Sequence, residues 1–164
     1  MKPIYLEMNY FGPHENSVVD FRLLDESPIF LISGDTGAGK STIFDAMTYA
    51  LFGTTTGDRD AKEMRSQFAT ADDRTSVTFY FKQGNLLYRI ERSPEQKLSK
   101  KRGSGSTLQK STAKLAIVDR VKGIEKNNIA INPKNVGEEI TRLLHLNAEQ
   151  FKKIILLPQN DFSR

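Results

Sequence analysis

Residues Gly34-Asp35-Thr36-Gly37-Ala38-Gly39-Lys40-Ser41, with what flanks them, constrain the fold more than any other part of the chain. Before them, Ile29-Phe30-Leu31-Ile32 is a short continuous apolar run, the pattern of a strand buried on both faces. After them, Ile43, Phe44, Met47 and Leu51 fall on one helical face, and Gly53 is a stop signal. A strand, a glycine-rich turn and a helix in that order make G-x-x-x-x-G-K-[ST] a phosphate-binding loop rather than a chance match. The glycines let the backbone take conformations closed to larger residues, so that consecutive N–H groups converge on phosphate oxygens. A helix beginning near Lys40 adds its dipole and its unpaired N–H donors to the same anion site. Lys40 is then placed to reach the β- and γ-phosphates, and the Ser41 hydroxyl to bind Mg²⁺, which makes ATP and Mg²⁺ the expected cofactors.

The rest of the chain is read around this loop. A length of 164 residues suggests one domain with a substantial core. With 38% hydrophobic and 27% charged residues it has the composition of a globular protein rather than a disordered tail. There are no cysteines, which removes disulfide and thiolate–metal chemistry. The start of the chain lacks the apolar core of a signal peptide, and no apolar run approaches the roughly 18 residues of a membrane span, so no membrane association and a cytoplasmic location are expected. The net charge of +4 is unevenly spread. Lys97, Lys100, Lys101, Arg102, Lys110 and Lys114 fall in a stretch without an acidic residue, an electrostatic footprint either for a polyanion or for plain solvent.

Period-two patterns predict strands at Ile4–Tyr10 and at Val19–Leu23, an antiparallel pair broken by Phe11-Gly12-Pro13-His14. A polar stretch from Thr54 to Arg74 follows the phosphate helix, with a short helix expected near Lys62 to Phe68. Val77, Phe79 and Phe81 give one strand and Leu86, Tyr88 and Ile90 the next, joined through Gln83-Gly84-Asn85. Gly103-Ser104-Gly105-Ser106 reads as a mobile loop tip in the basic segment, and Leu115 to Val118 resumes a strand. Asn135 with Glu138, and Asn147 with Gln150, each read as a helix start with a reciprocal cap. The Phe and Tyr residues at period two are core positions, not stacking platforms. His14 and His145 have no acid or nucleophile pattern around them, which favours structural roles.

A phosphate loop alone does not complete an ATPase, which also needs a carboxylate at the end of a second buried strand to organise Mg²⁺. Leu115-Ala116-Ile117-Val118-Asp119 is the one candidate. It follows two alternating strands, as an antiparallel sheet would, and Arg120 has the wrong charge for a base, so Asp119 reads as an ordinary strand-end residue. The chain holds a triphosphate cradle without its full catalytic set.

These features resemble, in order, those of SbcC, the SMC-like ATPase subunit of the bacterial SbcCD nuclease. The resemblance rests on Phe11-Gly12-Pro13, on Gly34 to Ser41 with Thr42 continuing into Phe44-Asp45-Ala46, on Lys101-Arg102-Gly103, and on Leu156-Leu157-Pro158-Gln159. It spans essentially the whole chain. It implies a P-loop NTPase fold of the α/β class, the N-terminal lobe of an ABC/SMC-type ATPase head, with a mixed sheet and an antiparallel β subdomain across residues 1–164. It further implies that Thr42 belongs to the nucleotide site and that Gln159 acts in catalysis, touching Mg²⁺ and the γ-phosphate or the attacking water. The coiled coil and C-terminal lobe, carrying the signature motif and metal carboxylate, would lie outside this chain. The implied partners are an SbcD-like nuclease subunit, double-stranded DNA, the C-terminal lobe of the same polypeptide, and a second head in an ATP-bound homodimer. The loop around His14 would lie near the nucleotide base. Asn160-Asp161 stand where the family usually has Gly-Glu, and Asn tolerates the positive φ that Gly supplies. Arg59, Arg65 and Arg74 could also face DNA, although nothing in their spacing requires it. Alternative readings are the first lobe of another SMC or RecF-like ATPase, a small P-loop kinase, and a non-hydrolysing DNA-binding module.

Overall fold

The computed structural model describes residues 1–25, 37–55 and 61–153. The expected strand at Ile29–Ile32 and the apolar run from Ile154 lie outside the described residues.

Alternation of apolar and polar residues builds the strands β1 (Lys2–Phe11), β2 (His14–Asp20), β3 (Ser76–Gln83) and β4 (Leu86–Ser93). After them come the short β5 (Gln96–Ser99) and β6 (Ser106–Gln109), then β7 (Thr112–Val118) and β8 (Glu125–Ile131). Six of these form one sheet in the order β2-β1-β3-β4-β7-β8. Every pairing between them is antiparallel. Among the described residues the sheet is therefore antiparallel. The other two strands, β5 and β6, pair as a separate hairpin that carries the basic segment.

The register fixes which side chains meet. Val19, Leu6, Phe79, Ile90, Leu115 and Ala130 stand opposite one another in a single row across all six strands, and all are buried. A one-residue slip anywhere would turn that strand's part of the row to the other face. Phe81 stacks on Tyr88, its partner across β3–β4, with ring centroids 5.4 Å apart. This inner face is covered by α1 (Gly37–Phe52) and by α2 (Pro133–Leu144). The opposite face bears a smaller cluster of Ile4, Tyr5, Tyr80 and Val118. Beside it the sheet face is polar, with Glu125 accepting from Arg89 and, at 2.6 Å, from Lys114.

Helix α1 differs from the amphipathic helix expected. Ala46, Met47, Tyr49, Ala50 and Leu51 are buried, and so are Thr42, Asp45 and Thr48. From Thr42 onward the helix is enclosed nearly all round, which its alanines and threonines permit because they carry little bulk. It also opens at Gly37, three residues before Lys40. It ends where Gly53, at φ +78°, donates its N–H to Tyr49 O at 2.7 Å.

Three local expectations need correction. The residues after Asp20 form a 3-10 turn, Phe21–Asp25, rather than extending the second strand. The helix expected near Lys62 to Phe68 is a single 3-10 turn, Ala61–Met64. The cap of α2 is Asn132, not Asn135. The Asn132 side chain accepts from the Asn135 N–H, and Pro133 occupies the first helical position, where a missing N–H costs nothing. The second capping box forms as expected, with Asn147 N–H on Gln150 Oε1 and Gln150 N–H on Asn147 Oδ1, both 2.9 Å.

Candidate functional site

The phosphate-binding motif is divided by the start of α1. Gly34, Asp35 and Thr36 lie outside the described residues, as do Gln159, Asn160, Asp161 and Arg59. The backbone of Gly37, Ala38, Gly39, Lys40 and Ser41 forms the opening of α1. The N–H groups of a helix's first turn have no partner within the helix, and the macrodipole is positive there. Thr42 follows and is 2% exposed.

The elements packed on α1 hold both of its ends. At the N-terminal end, Gly12 of the β1–β2 turn approaches the Thr42 side chain and donates its N–H to Met64 O. Phe11, fully buried, stacks on Tyr49 with centroids 5.8 Å apart. Tyr10 sits at φ +49°, a sterically unfavourable region for a bulky residue. It is held there through its carbonyl, which accepts from Ser66 N–H at 2.8 Å and Thr75 Oγ1 at 3.0 Å. Burial raises the Tyr10 hydroxyl pKa, and the charge of the Asp73 carboxylate adds to the rise.

Behind this turn is a polar cluster. Gln96 Oε1 accepts from Arg65 and from Thr75 N–H, both at 2.8 Å, while its amide donates to Thr75 O and Ser93 Oγ. Arg65 also donates to the carbonyls of Asp73 and Thr70, each at 2.7 Å. These donors tie Arg65 to the segment 65–75. Arg74 bonds Ser93 and Thr112.

At the C-terminal end of α1 the support is Arg92. It is 5% exposed, and it lies in a cross-strand row with Met8, Val77 and Ala113. Its guanidinium donates to Ala50 O at 2.7 Å and to Leu51 O at 3.1 Å, carbonyls that the helix leaves without partners. Burial lowers its pKa to about 10, so it remains charged at neutral pH and faces the negative end of the helix. Sequence reading missed Arg92, although period-two alternation places it on the same face as Tyr88 and Ile90. An open cavity of about 560 Å³ lies here, bordered by Arg92, Tyr49, Lys62 and Lys110. It stands at the far end of α1 from the phosphate motif.

The remaining candidates take structural places. Asp119 accepts from Ile124 N–H at 2.8 Å and pairs with Arg120 at 3.0 Å, closing the β7–β8 turn. His14 places Nδ1 2.8 Å from Ser17 Oγ, and burial lowers its pKa. His145 is the left-handed cap of α2. In the basic segment, Lys97, Lys100, Lys101, Arg102 and Lys110 are exposed, and none forms an ion pair among the described residues. Lys114 is the exception, engaged with Glu125. Among the described residues, no helix is long and apolar enough to cross a membrane, and no group of three or more His, Cys, Asp or Glu gathers.

Comparison with known proteins agrees with this arrangement. A family described as AAA domain matches residues 5–164. The C subunit of the nuclease SbcCD from Vibrio cholerae serotype O1 is 39% identical over 164 residues, covering 99% of this chain and 16% of the relative. Its counterpart from Staphylococcus aureus strain MRSA252 is 41% identical over 167 residues, covering 100% of this chain and 16% of the relative. The chain thus spans about one sixth of the length of these relatives and aligns with their N-terminal part. It belongs to the AAA-domain family of P-loop NTPases, and within it is similar to the N-terminal part of the SbcC proteins.

Proposed function

We propose that this chain is the ATP-binding half of an SbcC-like ATPase head that controls the access of DNA to a partner nuclease in repair and recombination. The observation that carries the reading is the glycine-rich motif running directly into a helix enclosed by the core, with both ends of that helix pinned. Gly34 to Gly39 would cradle the phosphates through backbone N–H groups, with Lys40 as a point charge at the β/γ position. Mg²⁺ suits the chemistry of Ser41, because it keeps most of its shell as water and phosphate oxygen and takes few protein ligands. Thr42 and Gln159 enter by resemblance, Gln159 as the residue that senses the γ-phosphate or attacking water. Asp119 is spent on its turn, which supports placing the metal carboxylate and catalytic base in a second lobe of the same polypeptide.

The exposed cations at and beside the β5–β6 hairpin, without ion pairs among the described residues, support a duplex-binding role in the assembled heads. The nuclease partner is inferred from the names of the relatives. A titration of the chain with Mg-ATP tests the core of the reading. Saturable binding, abolished in Lys40→Ala with the melting temperature little changed, is the expected result. Wild-type affinity in Lys40→Ala would refute it.

A further inference from the structure

The turn between β1 and β2 is built more tightly than a hairpin connection requires. Tyr10 is kept in the left-handed region by two hydrogen bonds to its carbonyl. Phe11 is locked on one side by Tyr49 and on the other by a backbone bridge to Arg65. Gly12 follows at φ +57°, and a Cβ there would lie 2.9 Å from Thr42 Cγ2. Real Cβ contacts essentially never fall under 3.0 Å, and ordinary contact begins at 3.4 Å. The turn cannot retreat, since Tyr10, Phe11 and the Gly12 N–H are each fixed to segment 64–75 or to α1 itself. Any displacement therefore passes to Thr42, the residue directly after Lys40 and Ser41.

We infer that Gly12 is a positioning residue for nucleotide binding: the β1–β2 turn is the stop that seats the head of α1, and the missing side chain at Gly12 sets how closely it seats. This rests on the phosphate-loop reading of residues 34–42. A methyl group at Gly12 would push Thr42 and the turn that precedes it outward by about half an ångström, and reacting or binding groups displaced on that scale lose much of their alignment.

The experiment measures Mg-ATP affinity and thermal melting of the full-length polypeptide as parent, as Thr42→Ser, as Gly12→Ala and as Gly12→Ala with Thr42→Ser. Serine keeps the hydroxyl and removes Cγ2, the atom in conflict. Gly12→Ala should weaken ATP binding by about tenfold. The double variant should return to within about threefold of Thr42→Ser alone while still melting below it, because alanine in a left-handed conformation is strained wherever Thr42 sits. Unchanged affinity in Gly12→Ala, or a double variant that binds no better than the single one, overturns the inference. Should Gly12→Ala fail to fold, a double variant that folds and binds ATP supports it, and one that also fails overturns it. A parent that does not bind ATP removes the phosphate-loop reading as well, whereas the other negative results remove only the role of Gly12.

Discussion

At the scale of single residues, Arg92 is a buried cation that, among the described residues, is held by two backbone carbonyls of α1 and forms no ion pair. Arg92→Met keeps the apolar stem but leaves the carbonyls of Ala50 and Leu51 buried without donors, which should cost about 3 kcal/mol in urea unfolding. A cost within about 0.5 kcal/mol would mean that water or the helix itself can satisfy those groups. Glu125 makes a second prediction, through pH. The hydrogen bond from Lys114 holds its carboxyl below the usual range, and the charges of Lys114 and Arg89 add to that effect. A group whose pKa is lower folded than unfolded contributes stability that is full above the unfolded value and is lost as pH falls through the folded one. Glu125→Gln should therefore lower the unfolding free energy slightly at neutral pH, by about 1 kcal/mol or less for a partly exposed cluster, with the difference vanishing in acid. A difference that persists unchanged below the carboxylate range would place its origin in packing. Arg92 and Glu125 also show what the sequence conceals. Alternation puts Arg92 on the inner face, but its carbonyl partners come from a helix more than 40 residues away in sequence.

At the scale of elements, strands were legible because each needs only its own period of two, and the structure keeps those at β1, β3, β4 and β7. Helix ends were less so, because a cap is a matter of one residue and several Asn residues compete. For α2, Asn132 wins over Asn135 because Pro133 cannot donate an N–H and so belongs at the first helical position. Asn132 sits at φ +84°, which gives the cap a testable signature. Asn132→Ala loses the side-chain acceptor and suffers the left-handed backbone, and should cost about 1–2 kcal/mol, whereas Asn132→Gly should cost only a few tenths. Equal losses in the two variants, measured by thermal unfolding, would mean the cap contributes nothing. The burial of α1 was hidden for a different reason. Its apolar residues occupy one face, but its threonines and alanines are small enough to be enclosed on the others, and only the assembled sheet reveals that. The phosphate motif itself was legible as composition and order, since its chemistry demands glycines and a lysine at fixed spacing.

At the scale of the whole molecule, the phosphate cradle is proposed to lie on this chain and the metal carboxylate on a second lobe. If the basic hairpin meets duplex phosphates, neutralising Lys100, Lys101 and Arg102 should flatten the salt dependence of DNA binding by assembled heads, by about 0.9 log units for each phosphate no longer neutralised. An unchanged slope would make the hairpin a solvated loop. The half-site is tested most directly by steady-state ATP hydrolysis of residues 1–164, alone and mixed with the C-terminal lobe, with Asp119→Ala beside it. Phosphoryl transfer depends on positioned charge, and general base catalysis alone is worth about 10²–10⁴ in rate. The expected result is nucleotide binding without turnover by the chain alone, turnover once the second lobe is added, and no effect of Asp119→Ala. Robust hydrolysis by the chain alone, abolished by Asp119→Ala, would contradict the half-site and make β7 the metal-bearing strand of a complete small NTPase.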